Sequence, residues 1–488
     1  MAVVGGTDAV VDAAGGGDEH KLDSSLGFLD SVVMAVAGSA PAYSIAGTSA
    51  VLVGAVALAG PASLLWCGIP MFGIAVAYHQ LNQMGANAGA AYSWVGRVIH
   101  PFLGFLTGWA LVVSATIFMV AASIPAGNAT LSLFSAHLAG EVGWETGVAA
   151  IWFIIMAYFV ARGIRITANA QWVMSSIEVV LLLIFAVLGI VHGHKVLNFS
   201  LSWLGFSRFH GFSGFAAGAL VAAFYYWGWD VSSNLGEETE NSKESSGMGG
   251  IVGVIIVFVL FMLFTVVVNM DLTRAQINGN SADVLETLGN VVWSGAGGKL
   301  MIIAVMLSTI ATLETTLIQV TRSLFSMGRE QTLPAVFARL HRGWRTPVVA
   351  TAVVAVVSLG LFAISANVGS VGTIMTDAIT AIGLQIAVYY GLAGLAAVIG
   401  FRKYAFKSVK NFFFMGLFPL LGSVFMFWIF VKSIPGLTTT ENSLGLGALA
   451  IGLVPLVYYY IKGSPYLHET PSLGRFPIEE ELPTVGTL

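Results

Sequence analysis

Two short stretches of this chain place chemistry where an apolar helix would not. One reads Ala37-Gly38-Ser39-Ala40-Pro41-Ala42-Tyr43-Ser44, and the other reads Phe224-Tyr225-Tyr226-Trp227-Gly228-Trp229-Asp230, followed by Glu237-Glu238. Pro41 supplies no backbone donor, and its ring clashes with the carbonyl of Ala37 four residues back. Gly38 beside it tolerates an unwound backbone, so the spacing predicts an interrupted helix at residues 38–41. A simple proline kink with a close-packed glycine fits the same residues. In the second stretch a glycine between two tryptophans precedes an unpaired acid. An intramembrane carboxylate is costly and is a functional candidate by default. An interrupted helix bares N–H groups on one stub and C=O groups on the other, favouring an anion and a cation respectively. Phe224, Tyr225, Tyr226 and Trp227 would cover a solute or stack on its cation, or serve as helix packing.

Further acids lie in apolar surroundings. Glu178 sits between Ser175-Ser176-Ile177 and Val179-Val180-Leu181, Glu314 lies within Thr312-Leu313-Glu314-Thr315-Thr316, and Asp377 begins a later apolar run. A carboxyl at depth is costly to keep charged and suits proton carriage. It could equally bind a metal cation, pair with a solute's ammonium, or be a neutral acid bonded to nearby hydroxyls. Glu178, Asp230 and Glu314 are the candidate ion-coupling residues, with Asp377 weaker because it is closer to an end. The nine histidines fall in tails, loops or span ends, so no metal centre or haem site is expected. Gly295-Ala296-Gly297-Gly298-Lys299 is followed by Leu300 and is not a phosphate loop. Cys67 is the only cysteine, which excludes an internal disulfide and suggests a small buried apolar residue. No cofactor is expected; the driving ion is expected to be H⁺, with Na⁺ as an alternative.

The elements that must hold these residues follow from composition. Hydrophobic residues make up 57% of the chain and charged residues 9%, against a usual share of about 25% charged. That apolar surface exceeds what one or two soluble cores hide, so lipid must cover the rest. The net charge of −4 gives no sign of a nucleic-acid partner. Windows of ~20 apolar residues fall at 28–55, 62–82, 102–125, 146–163, 172–191 and 213–235, then at 250–270, 300–325, 347–366, 373–398, 412–433 and 445–463. The expected fold is all-α, with about twelve transmembrane helices. With the amino terminus inside, only Lys195, Arg208, Arg274, Lys299 and Lys432 of the 21 Lys and Arg fall outside. That asymmetry predicts a multi-pass protein of the cell membrane with both termini cytoplasmic. Residues 1–25 and 464–488 read as disordered cytoplasmic tails with no cleavable leader, and the outer segment 271–299 as a structural cap.

At four segments the chain resembles the amino acid–polyamine–organocation (APC) superfamily, and within it the bacterial amino-acid permeases. They are Gly38-Ser39-Ala40, Asn87-Ala88-Gly89-Ala90-Ala91-Tyr92-Ser93-Trp94, Phe224 to Asp230 with Glu237-Glu238, and Arg322 through Met327-Gly328-Arg329-Glu330 to Leu333-Pro334. The resemblance runs from about residue 26 to 456 and implies two inverted five-helix repeats (26–198 and 199–400), plus two extra helices (401–463). Spans 1 and 6 would then be the discontinuous pair that marks a transporter site. It also implies that the backbone at Gly38, Ser39 and Ala40 holds a substrate carboxylate, carbonyls at Tyr226–Gly228 face the amine, and Phe224 acts as a gate. Two departures stand out. Glu178 occupies a position where many proton-coupled relatives have Lys, and Ala40-Pro41 replaces Gly-Ile. The first adds negative charge and the second removes a donor near the carboxylate site, which extends the expected solutes from amino acids to amines and polyamines. The reading is a secondary transporter, by symport or exchange, of a small amino acid or amine. A membrane enzyme, or a sensor or channel on the same scaffold, is the rival.

Overall fold

The computed structural model describes residues 21–139, 141–279, 283–365 and 371–471. Most of both expected tails, residues 1–20 and 472–488, lies outside them. Among the described residues the structure is helical, apart from an isolated parallel bridge between Leu26 and Thr239. The elements that position the site are α1 (Phe28–Ser39), α2 (Pro41–Val56), α3 (Gly60–Met84), α4 (Ala91–Val98), α5 (Pro101–Ser132), α6 (Val142–Arg162) and α7 (Ile164–His192). They continue with α8 (Gly211–Tyr225), α9 (Val231–Asn234), α10 (Ser242–Asp271), α11 (Val284–Val292), α12 (Gly297–Arg329), α13 (Val348–Ser365), α14 (Val371–Ala405), α15 (Phe418–Ser433) and α16 (Leu453–Ile461).

Helix occupies each of the apolar windows, and nine stretches of the described residues are long and apolar enough to cross a bilayer. The first of them, Phe28–Met84, has 57 residues. As one straight helix it would extend about 85 Å, roughly twice a whole membrane, so it must fold back. It does so at Ala57, where φ is 52°, before Pro61 restarts the chain as α3. The two apolar helices Gly211–Tyr225 and Val348–Ile364 are shorter.

Burial sorts the helices into a centre and a rim. In α12 and α14 the most apolar window is 83% buried, against 17% for the last stretch, Thr439–Ile461. The sequences explain this. α12 carries Ser308, Thr312, Glu314, Thr315 and Gln319, all buried, and polar side chains in a bilayer need protein partners. The rim helix α13 instead exposes Val356 and Ile364, as lipid contact requires. Cys67 is fully buried, in keeping with a small apolar role. The described residues of 271–299 meet the bundle through α11, whose Val284, Leu285 and Leu288 are buried against it.

One expected boundary needs correction. Residues from 464 onward do not begin as a free tail. Tyr466 and Leu467 are buried, and the Tyr466 ring stacks on Tyr92 at 4.8 Å. Its hydroxyl donates to the Tyr92 carbonyl at 2.9 Å. Polar composition suggested a tail, but glycines at 96 and 104 leave a socket in which an added Cβ would meet the Tyr466 hydroxyl at 1.8 and 2.1 Å.

Candidate functional site

The break between α1 and α2 starts with Pro41, which fits the first position of a helix because no partner is needed for its missing N–H. The residue before it, Ala40, is left-handed at φ 47°, ψ 67°. A side chain there costs about 1–2 kcal/mol. The Ala40 N–H closes α1 on the Val36 and Ala37 carbonyls at 3.1 and 3.2 Å. The interruption expected at residues 38–41 is present, but Ala40 is its unwound residue. Gly38 stays within α1 and serves a different purpose.

That purpose is close approach. In span 6, α8 ends at Tyr225 and helix resumes at Val231, with Gly228 at φ 94° between them. A Cβ on Gly38 would lie 2.2 Å from the Gly228 oxygen, and a Cβ on Gly228 would lie 2.2 Å from the Gly38 oxygen. The two interruptions therefore cross backbone to backbone. The Thr312 hydroxyl of α12 donates to the Gly38 carbonyl at 3.0 Å and fixes the crossing to the central helix.

The donors at the start of α2 are already engaged. Ala42 N–H donates to Glu178 Oε1 at 2.8 Å, Tyr43 N–H to Ser308 Oγ at 3.1 Å, and Ser44 N–H to the Ala40 carbonyl at 2.8 Å. They lie just past Gly38, Ser39 and Ala40, whose backbone the resemblance assigns to a substrate carboxylate, and they are the donors that the start of a helix offers an anion. In this structure the chain fills them itself. α7 carries Gln171, Ser175 and Glu178 at i, i+4 and i+7, on one face. The Gln171 amide donates to Glu314 Oε2 and to the Ala311 carbonyl. Glu178 and Glu314 thus share a polar seam between α2, α7 and α12. Within it Gln171 Oε1, Ser175 Oγ, Glu178 Oε2 and Glu314 Oε1 have no hydrogen-bond partner among the described residues.

Asp230 is held by side chains that the sequence reading did not single out. Tyr390 donates to Oδ1 at 2.8 Å and Tyr389 to Oδ2 at 3.3 Å. The Trp227 indole N–H in turn donates to the Tyr389 hydroxyl. Tyr78 packs edge-on to Trp229 and Tyr390 at 5.1 and 5.7 Å. A carboxylate ringed by aromatic faces suits a cation. The adjoining crevice, between Tyr78, Tyr92, Leu111, Asp230 and Tyr389, is too tight to hold a solute without parting its walls.

The expected aromatic cover divides in two. Phe224 and Trp227 meet Phe118 at the crossing, at 6.1 and 5.2 Å. Tyr225 and Tyr226 instead pack on Phe261 of α10, and their hydroxyls reach Ser49 and the Leu64 carbonyl. In this structure their side chains pack between helices and do not line the crossing. Asp377 is partly exposed and does not join either cluster.

The remaining motif segments meet at the end of the bundle that carries most basic residues. Arg322 grips Glu238 through two bonds of 2.9 and 2.8 Å, and both side chains are 0% exposed. Arg329 grips Glu237 at 2.9 and 2.7 Å, and Arg97 approaches Glu330 at 3.4 Å. Asn87 Oδ1 accepts from Gly89 N–H, Ser93 and Ser326. The sequence reading quoted these residues as motifs and assigned them no role. A usable signal existed: Arg322 and Arg329 are seven residues apart on one helical face, opposite an adjacent acidic pair.

The amino acid permease family model matches residues 26–454 of the chain. The chain belongs to that family. The methylthioribose transporter of Bacillus subtilis (strain 168) is 26% identical to this permease over 78% of the permease and 82% of the relative. The low-affinity putrescine importer PlaP of Escherichia coli (strain K12) is 24% identical over 81% and 85%. The serine/threonine exchanger SteT of B. subtilis is 23% identical over 77% and 82%. This permease is therefore a multi-pass membrane transporter, and its work is translocation, not catalysis.

Proposed function

We propose that this permease is a secondary transporter of an amino acid or related amine, working by alternating access around the crossing of α1–α2 with α8–α9. The observation that carries the reading is the backbone contact of Gly38 with Gly228. Two broken helices meeting inside a bilayer bring polar backbone to a protein-lined site, the one setting in which lipid tolerates it. Two of the relatives, named for putrescine and for serine and threonine, are in keeping with small amine-bearing solutes, while a third is named for methylthioribose, a solute without an amine. The basic end is the cytoplasmic side by charge asymmetry, so the paired end containing Arg322–Glu238 is the closed inner gate.

Protons are the proposed driving ion, with Glu178 and Asp230 as carriers and Glu314 as a neighbour of Glu178 in the same seam. Glu178 has no basic partner, so it can bind and release a proton without breaking an ion pair. Its bond to Ala42 N–H ties that event to the start of α2, the stub that must move when the site opens. Proteoliposomes with an imposed pH gradient test this. Glu178→Gln should keep solute counterflow and lose gradient-driven accumulation. Full accumulation by the variant would remove Glu178 from the coupling, and absence of counterflow in the parent protein would favour a channel or sensor.

A further inference from the structure

We infer that Glu178 occupies, from within the chain, the place a solute's carboxylate would take, so that the transported solute carries an amine and no carboxylate. The inference rests on the transport reading above and narrows its substrate class. α2 has 16 residues, and its amino-terminal end is where an anion is best held, because N–H groups and the helix dipole converge there. An anion is already present. Pro41 offers no donor, Ala42 donates to Glu178, Tyr43 donates to Ser308, and Ser44 donates back to Ala40. A solute carboxylate would have to displace Glu178 from a fully buried position or settle beside it, like charge against like.

The charge distribution points the same way. Among the described residues Arg322 is the one buried Lys or Arg, and its guanidinium is committed to Glu238. No basic side chain is left at the crossing to hold a second carboxylate. Acceptors, by contrast, are plentiful. Glu178 Oε2 has no partner, and Asp230 lies among Tyr78, Tyr389, Tyr390 and Trp229. Carboxylates and aromatic faces recognise ammonium groups.

Matched pairs that differ only by a carboxylate test this on the full-length protein: putrescine against ornithine, cadaverine against lysine, agmatine against arginine, and ethanolamine against serine. Thermal stabilisation and competition for uptake into proteoliposomes are the readouts, since a ligand binding the folded state raises its melting temperature. The amine of at least one pair should stabilise and compete, and its parent amino acid should be weaker by about tenfold or more, the worth of one charge-assisted contact. Amino acids equal to or better than their amines would overturn the inference and leave the transport reading standing. If no member of any pair binds or competes, the proposal that the solute is an amine or amino acid falls, and the inference with it. Glu178→Ala exposes the Ala42 N–H and should shift preference toward the amino acid of each pair. Glu178→Gln, which keeps an oxygen for that N–H and the side-chain shape, should shift it less. Preference unchanged in both variants would also overturn the assignment.

Discussion

The crossing and the proposed inner gate both bury carboxylates, but they treat them in opposite ways. At the gate each acid faces an arginine: Glu238 with Arg322, Glu237 with Arg329, Glu330 with Arg97. At the crossing the partners are neutral: a peptide N–H and the Ser308 hydroxyl for Glu178, the Gln171 amide for Glu314, and tyrosine hydroxyls with the Gln319 amide for Asp230. A buried ion pair resists any change in which one partner is lost, which suits a gate that must hold until its helices separate. A buried acid with neutral partners keeps its charge state open to a proton or an ammonium group. The difference is what the proposed reading requires of a lock in one region and a solute site in the other.

The largest effect should come from breaking the lock on one side. Arg322→Ala leaves Glu238 uncompensated at zero exposure, and should lower stability by about 3–5 kcal/mol, read from the melting temperature. Arg322→Met combined with Glu238→Leu should recover most of that loss while leaving transport defective, because packing replaces the charges but not the gate's reversible separation. Equal damage from the single and double variants would contradict the account of the gate.

Gly38→Ala comes next. Its Cβ would meet the Gly228 oxygen at 2.2 Å, so it should cost about 1–3 kcal/mol by overpacking and abolish uptake. Gly54→Ala, where a Cβ meets nothing within 4 Å, should leave uptake near normal. Wild-type uptake by Gly38→Ala would show that the close crossing is dispensable. Tyr390→Phe should have a smaller effect, removing one 2.8 Å bond to Asp230 for about 1 kcal/mol of stability and weakening solute binding. Titration calorimetry would check it. The smallest change belongs to Arg97→Ala at the half-exposed edge of the gate, where a loss of under about 1 kcal/mol is expected. A loss comparable to that of Arg322→Ala would mean that the gate is a single network and not a graded one.

The crossing was legible in outline because its signals are local. Proline removes a donor wherever it stands, and a glycine flanked by tryptophans ahead of an acid is visible in four consecutive residues. The detail slipped by two positions, since Ala40 took the left-handed turn and Gly38 the contact. That contact depends on Gly228, which no local rule connects to residue 38. Tyr389 and Tyr390 were missed because two aromatics on an apolar helix look like packing until the acid they serve is placed beside them. Tyr225 and Tyr226 show the reverse: they adjoin the break in sequence, but the helix turns their rings toward α10.

Membrane residence, helical class and the positions of both interruptions are set by the sequence alone, because lipid as a solvent demands apolar runs and because Pro and Gly act through their own covalent geometry. Which group satisfies each buried acid was decided by tertiary structure. Glu178 reaches an N–H 136 residues away and Glu238 an arginine 84 residues away. A partner's identity at such separations depends on how helices are arranged in space, and hydrogen bonds of about 3 Å are too short-ranged to be specified before that arrangement exists.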